Sequence, residues 1–406
     1  MRYWIIIDHP HSLLTAISIS KFLTSKKLSK PVLVIAKHDY WKIVNIKQYI
    51  NNFSNIYWFR RIDIPPYSMP IWKQIIAAVL MFFKLIKLKS EVMNLGIKIN
   101  DIIIGLSDKQ ILENIIISSY PRSFKIAIVP ELASTSEKVA VELKKNGKLK
   151  YTIGGLIMRY IYCPIFNMYK NDYLVTKGYG SKSDGDRYWI FTDGLVKVFD
   201  KILLMVNITD RRSNKSSLHS NLKKMPFPYG LMYRENNYFK NKVVYFGMPY
   251  MYGWDISRSE HIEKINKYLD YIRKHYGKKY LLEYRPHPQE IKELKWLKLN
   301  SFKVAHDRTI AELYLLKSKN IKSVFSVCST SSRSALNFGI ESYVYPTLYP
   351  IKDLNIKSYR RVLGKVPKNF VLNNFEVKPK KIIFPNRVLI MRRIYKDLNW
   401  VLSPVP

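Results

Sequence analysis

Cysteine is nearly absent from this 406-residue sequence: only Cys163 and Cys328 occur, far apart and without metal-ligand spacing. That argues against a disulfide framework and a structural zinc site, and makes a reducing cytoplasm the expected compartment. Glycine is scarce at 15 residues, while hydrophobic residues make up 47% and aromatics 14%, so disorder is excluded and sizeable cores are expected. Acidic residues number 30 against 68 Lys and Arg, a formal net charge of +38. Such an excess attracts anionic partners: nucleic acid, anionic lipid or acidic polysaccharide. It also has a bland reading, because the lysines are spread through the chain instead of gathered in a tail.

Long apolar runs are missing as well. The first one, Tyr3 to Ile7, meets Asp8 and His9 at once and reads as a buried strand, not as the apolar region of an export signal. The most apolar window, Ile71 to Leu88, is interrupted by Lys73, Gln74, Lys84 and Lys87, leaving less than the ~20 residues a membrane span needs. A core helix of the first domain is the expected role of this window; lying on an anionic bilayer surface is the alternative.

The chain is long enough for two domains of roughly 150 to 200 residues each. In its first half, short apolar runs at Tyr3 to Ile7, Pro31 to Ala36, Ile56 to Phe59, Ile102 to Leu106 and Phe124 to Val129 have the length of buried parallel strands. Helix-like stretches at Leu13 to Leu23, Ile71 to Leu88 and Lys109 to Ser118 alternate with them, so a doubly wound sheet is expected. From about Lys144 to Asn241 the pattern loosens around several glycines and the basic stretch Arg211 to Lys224, and loops and helices are expected there.

Alternation resumes with strands at Lys242 to Phe246, Tyr280 to Tyr284, Phe302 to Ala305 and Ser323 to Ser326. Helices are expected from about Ser259 to His275, Thr309 to Lys319 and Ser332 to Phe338. The resulting division is an N-terminal Rossmann-like domain at 1–200, a basic linker region at 201–241, a C-terminal domain at 242–385, and a helix at 386–406 that packs back across the boundary. In open sheets of this kind ligands bind beyond the carboxyl ends of the strands, so the residues directly after each strand matter most.

In the second half the sharpest local signal is Tyr284-Arg285-Pro286-His287-Pro288, directly after an apolar strand. Two prolines fix the backbone on either side of the histidine. A histidine held at a strand end can act as a general acid at neutral pH, or as a cation donate to a phosphate oxygen. A turn with a surface histidine is the competing reading. The second signal is an apolar strand running through Ser326 into Ser329, Thr330, Ser331, Ser332, Arg333 and Ser334. Hydroxyls at a helix start cap it, and the free N–H groups there bind phosphate; a plain N-cap would need only one of them. Glu312, near the start of the preceding helix, suits ribose hydroxyls or, more simply, the helix dipole. Gly247 follows the strand Lys242 to Phe246 and is expected to line the cleft.

For a base in the first half, Glu131 follows the strand ending at Val129 and Pro130, and Asp193 is the fallback. Asp8, His9 and His11, after the first strand, are expected to line the cleft or to form a local Asp–His loop. Asp184-Gly185-Asp186 has the form of a divalent-ion motif but precedes an apolar run, so a surface turn is expected and no metal is assigned.

This order of features resembles the bacterial GT-B sialyltransferases and polysialyltransferases, through His287-Pro288, then Glu312, then Ser329-Thr330-Ser331, over about Lys242 to Tyr349. The resemblance implies an α/β chain of two Rossmann-like doubly wound domains facing a cleft. It implies CMP-sialic acid or a related nucleotide sugar as donor, inverting transfer without a cofactor, Glu131 as base, His287 as acid, and Arg285, Pro288, Glu312, Ser326, Ser329, Thr330, Ser331 and Ser332 at the donor. The family's acidic motif is reduced here to Pro130-Glu131-Leu132, with a single carboxylate and no glycine. The implied acceptor is an anionic or lipid-linked glycan, which with the basic charge leads to an expectation of peripheral association with the inner membrane from the cytoplasmic side. A capsule or lipopolysaccharide transferase using CMP-Kdo or another nucleotide sugar remains open. So does a non-catalytic polysaccharide-binding protein. Nucleic acid ranks low as a partner, because no zinc-finger, helix-turn-helix or RNP signature accompanies the charge.

Overall fold

The computed structural model describes residues 1–10, 12–37, 41, 46–64, 69–106, 111–130, 149–151, 153–177, 184–191, 195–209, 220–232, 241–250, 256–287, 290, 294–307, 309–327, 329–345, 366–372 and 374–403. They fall into two compact units. One comprises Met1–Met205, Asn214–Pro228 and Arg393–Pro406; the other comprises Val206–Ser213 and Tyr229–Arg392.

In the first unit the chain runs β1 (Tyr3–Ile7), α1 (Ser12–Ser25), β2 (Val32–Lys37), β3 (Asn55–Arg60), α2 (Ile71–Met93), β4 (Ile102–Gly105), α3 (Ile111–Ser119) and β5 (Phe124–Pro130). It continues with β6 (Leu149–Tyr151), α4 (Ile153–Ile157), a π-helical turn Met158–Tyr162, α5 (Cys163–Ile165), β7 (Asn171–Lys177), β8 (Asp184–Phe191), β9 (Lys201–Val206) and β10 (Leu222–Pro226). Seven strands form one sheet in the order β10-β9-β5-β4-β1-β2-β3, and each neighbouring pair from β9 to β3 is parallel. Strands such as YWIII and KILLMV are buried at every position, as a sheet covered on both faces requires.

Three expectations change here. The stretch 201–241, read as a linker, supplies β9 and β10 to the first sheet. The loosened region before it holds a three-stranded antiparallel sheet, β6-β7-β8. Asp184-Gly185-Asp186, expected in a turn, opens β8 with Asp184 paired to Lys177. Antiparallel strands paired with each other need not be unbroken apolar runs, so they leave no strong signal in one dimension.

A further difference concerns α2. One stripe, Gln74, Ala78, Met81, Leu85, Leu88 and Val92, is buried at the three- and four-residue spacing of a helix face. The other side is not in the core: Ile71, Trp72, Ile75, Ile76, Val79, Leu80, Phe83 and Ile86 are exposed. A helix apolar all round reads as fully buried in a sequence, yet only one side of this one is buried. On its buried side the run from α4 to α5 lies against it, with the Tyr162 hydroxyl donating to the Ala78 carbonyl at 2.6 Å and Phe82 packed on Tyr162 and Phe166.

The second unit carries β11 (Lys242–Phe246), α6 (Arg258–Tyr276), β12 (Leu281–Arg285), β13 (Phe302–Val304), α7 (Ala311–Lys317), β14 (Ile321–Ser326), α8 (Thr330–Asn337) and β15 (Glu341–Val344). The sheet order is β13-β12-β11-β14-β15, all parallel. Because alternate residues share a face, the register lines up Tyr284, Tyr245, Phe325 and Tyr343 in one row across four strands. Neighbours in this row stack at 5.3 Å between ring centroids for Tyr245–Tyr284 and for Phe325–Tyr343. Helix α6 covers them with Tyr268 and Tyr276 edge-on. Ser257 caps α6, its hydroxyl accepting from the Glu260 amide at 3.1 Å.

The last helix, α9 (Arg387–Leu402), begins in the second unit and ends in the first. Its C-terminal carbonyls are met by a buried lysine: Lys201 Nζ donates to Trp400 at 2.8 Å and to Ser403 at 2.7 Å. Burial, and Lys223 nearby, hold this ammonium below the usual lysine pKa.

Candidate functional site

In the second unit the chain lays β12 and β13 on one side of β11, then crosses to lay β14 and β15 on the other. The switch point of the sheet is therefore between β11 and β14, where an open α/β sheet forms its ligand crevice. The register pairs Phe246 with Arg285 on one side and with Ser326 on the other. Three adjacent strands thus end level, and two strand spacings, about 10 Å, separate the chain at Arg285 from the chain at Ser326. His287 and the hydroxyl turn leave from the same edge, with Gly247 between them.

His287 has an exposed side chain, and its backbone is fixed from below. Its amide donates to Glu290 Oε2 at 3.0 Å, and the Glu290 amide returns a bond to the His287 carbonyl at 2.9 Å. Glu290 is fully buried, and the Tyr284 hydroxyl donates to its other oxygen. Gly247 is a glycine for this reason: a Cβ there would lie 1.9 Å from Glu290 Oε2 and 2.8 Å from the Tyr284 hydroxyl. Partial desolvation holds the His287 imidazole below its ordinary pKa, so it is mainly neutral at neutral pH. Pro288 lies outside the described residues.

The hydroxyls divide by role. Ser326 and Ser332 are buried and bonded to each other at 2.7 Å, and Ser326 Oγ accepts from the Ser329 amide at 3.1 Å. Ser329 is the N-cap of α8, accepting from the Ser331 amide at 3.1 Å. Ser334 donates to Glu312 Oε1 at 3.2 Å. Ser331, half-buried in the first turn, carries a hydroxyl that is not one of these caps. Thr330 opens the helix, its side chain lying outside the described residues. The turn therefore builds a braced helix N-terminus, the form that accepts an anion.

Arg285 and Glu312 are occupied within the unit. The Arg285 guanidinium is buried, bonded to Glu283 at 3.0 Å and to both oxygens of Asp307, and stacked 3.8 Å over Tyr314. Lys242 completes the chain of charges by pairing with Glu283 at 2.8 Å. This network ties the end of β12 to the loop after β13. The Glu312 carboxyl is buried against α8, and burial raises its pKa.

In the first unit the strands switch sides between β1 and β4. Asp8 follows β1 there, buried, with its pKa raised by burial and partly restored by Arg61. Trp41 braces the same corner, its indole N–H donating to the Asp8 carbonyl at 3.2 Å and the Ala36 carbonyl at 3.1 Å. His9 is half-buried, and its carbonyl accepts from the Ser12 amide at 3.0 Å at the start of α1. Glu131, Asp193 and His11 lie outside the described residues. Among the described residues no group of three or more His, Cys, Asp or Glu could hold a metal.

No protein-family model and no curated protein matches the sequence. Solved structures do. TcCGT1 in complex with UDP is similar over 98% of this chain and 90% of its own, at 12% identity and a TM-score of 0.50. The chain has the GT-B fold. Two further structures align less closely. The α/β-galactoside α-2,3-sialyltransferase of Photobacterium phosphoreum, a luminous marine bacterium, covers 91% of this chain and 98% of its own, at 12% identity and a TM-score of 0.48. S. aureus MnaA with UDP covers 99% and 88%, at 9% identity and 0.46.

Within this GT-B fold, Glu290 is the residue that sequence reasoning missed. Its signal was present: a glutamate three positions after His287 repeats the spacing by which a side chain returns to a backbone N–H in a capping box. The intervening Pro288 and Gln289 hid it, since no apolar helix follows.

Proposed function

We propose that the chain is an inverting glycosyltransferase acting on a nucleotide-sugar donor, with CMP-sialic acid as the specific form of the reading. One observation carries it: His287 and the capped start of α8 leave from strands on either side of Gly247, at the switch point of the five-stranded sheet. In this reading the helix N–H groups and Ser331 hold the donor phosphate. The acceptor hydroxyl loses its proton to a carboxylate, its oxygen bonds to the anomeric carbon, and the bond from that carbon to the phosphate oxygen breaks. His287 meets the departing phosphate. Its imidazole is mainly neutral without ligand, and an adjacent anion favours the charged form, so a proton is taken up with the donor.

Glu131 is the proposed base, by its place after β5. Asp8 is a second choice, favoured by a buried carboxyl at the switch point of the first sheet whose raised pKa suits a proton acceptor. The proposed acceptor is an anionic cell-surface glycan or its lipid-linked precursor, and the excess of cations supports it. No metal is invoked; a chelator is expected to leave turnover unchanged.

The test is nucleotide release from CMP-sialic acid, CMP-Kdo and UDP-sugars with glycan acceptors, together with thermal stabilisation by CMP and UDP. UDP is included because TcCGT1 was captured with it. Release from UDP-sugars alone would replace the donor assignment. Neither stabilisation nor release with any nucleotide would remove the reading altogether.

A further inference from the structure

We propose that the outward side of α2, together with the adjoining run from α4 to α5, is a docking surface for an anionic lipid bilayer, with α2 lying along the interface. The inference goes beyond the transfer reaction and does not depend on the donor. It begins from apolar side chains that the fold leaves in water: Trp72 is 59% exposed, Ile76 52% and Phe83 62%. On the neighbouring helical run Tyr160 is 63% exposed and Ile165 55%. The two elements are fastened side by side by Tyr162 and Phe166 on one and Ala78 and Phe82 on the other. Two adjacent helices each carrying several such residues exceed the scattered surface apolars that need no explanation.

Charge chooses the occupant. No Asp or Glu lies between Asp63 and Glu91, nor between Glu142 and Asp172, so neither helix contributes an acid to this side except Glu91 near the end of α2. Lys73, Lys84 and Lys87 punctuate the apolar part of α2, and Arg159 that of its neighbour. Apolar residues flanked by cations, with Glu91 the one acid, match the two layers of an anionic leaflet, acyl chains and phosphate headgroups. A second copy of the chain would bring a like-charged surface against this one, and the net charge of +38 opposes it. The helix does not cross: among the described residues no helix is long and apolar enough for a span. At 23 residues, about 34 Å, α2 instead offers its length to the surface.

The full-length protein is sedimented with vesicles of phosphatidylcholine alone and of phosphatidylcholine mixed with phosphatidylglycerol. It is expected to pellet with the anionic vesicles and remain in solution with the neutral ones. Ile76→Ser with Phe83→Ser removes two exposed side chains and is expected to lower partitioning about tenfold or more at an unchanged thermal midpoint. Lys73→Glu with Lys84→Glu, which leaves the apolar residues in place, is expected to abolish the preference for anionic vesicles. A parent protein that ignores both vesicles overturns the proposal, and so does a serine variant that pellets like the parent. A lipid-free parent that is dimeric by light scattering and becomes monomeric in the serine variant also overturns it, in favour of a second copy. Nucleotide release with a soluble acceptor needs no vesicle, so either conclusion can fail without the other.

Discussion

In the seven-stranded sheet the strands change sides between β1 and β4, and in the five-stranded sheet between β11 and β14. Both places contain a glycine whose missing Cβ admits a buried glutamate: Gly105 for Glu113 at 1.8 Å, and Gly247 for Glu290 at 1.9 Å. Beyond that shared device the two differ. The first switch point offers a buried carboxyl, Asp8, braced by an indole. The second offers an exposed imidazole and a hydroxyl-capped helix start, with one buried acid, Glu290, turned inward to fix backbone. One topological plan thus supplies two crevices, and the side chains at the strand ends decide what each can bind.

The largest effect that would test this contrast is on turnover. His287→Ala is expected to lower nucleotide release by about 10²- to 10⁴-fold at an unchanged thermal midpoint. Comparing Glu131→Gln with Asp8→Asn then identifies the base, since the true one should fall into the same range and the other should not. Near-normal release by the histidine variant would detach the chemistry from the second switch point.

Gly247→Ala and Gly105→Ala force a methyl group onto a buried carboxylate, and each is expected to cost about 1–3 kcal/mol in thermal or denaturant unfolding. Adding Glu290→Ala to the first or Glu113→Ala to the second should relieve the clash, so each double variant should lose less than the sum of its single changes. Additive losses would mean that the glycines serve some other purpose. A smaller contrast lies inside the hydroxyl turn. Ser329→Ala should cost about 1 kcal/mol of stability as a lost N-cap, whereas Ser331→Ala should leave stability alone and weaken stabilisation by nucleotide.

Acid should move two buried groups in opposite senses. In the second unit His261 is buried beside Arg258 and its pKa is pushed down to about 4. The unfolded chain, with imidazole near 6.5, then binds more protons over that window, so stability falls as pH drops from about 6.5 towards 4. Asp8 is the reverse case: burial raises its pKa, the folded protein holds the proton longer, and stability falls as pH rises from the ordinary carboxylate value through the raised one. His261→Gln and Asp8→Asn should each remove their own contribution to the pH dependence of the unfolding midpoint. Unchanged profiles would show that these groups are better solvated than their surroundings imply.

Much of the fold was legible because parallel strands buried on both faces are unbroken apolar runs. YWIII at Tyr3–Ile7 and KVVYF at Lys242–Phe246 could be bounded to the residue. The antiparallel strands β6 to β8 gave no comparable run, whereas β9 is itself an apolar run, KILLMV, passed over because the basic stretch beside it read as a linker. At the site, His287 and the hydroxyl turn were legible because each follows a strand directly. Their shared edge was not, since it depends on β11 standing between β12 and β14. Arg285 shows the same gap from the other side: beside a histidine in sequence it reads as a donor contact, but Glu283 and Asp307 take its guanidinium.

By itself the sequence determined where most of the parallel strands and their flanking helices form, because hydrophobic periodicity and capping act over a few residues. It determined the cationic character too. Only the tertiary structure decided which strand ends lie together, that Asp307 takes the Arg285 guanidinium, and which side of α2 remains in water. Those outcomes depend on pairings between segments far apart along the chain, and no local pattern encodes them.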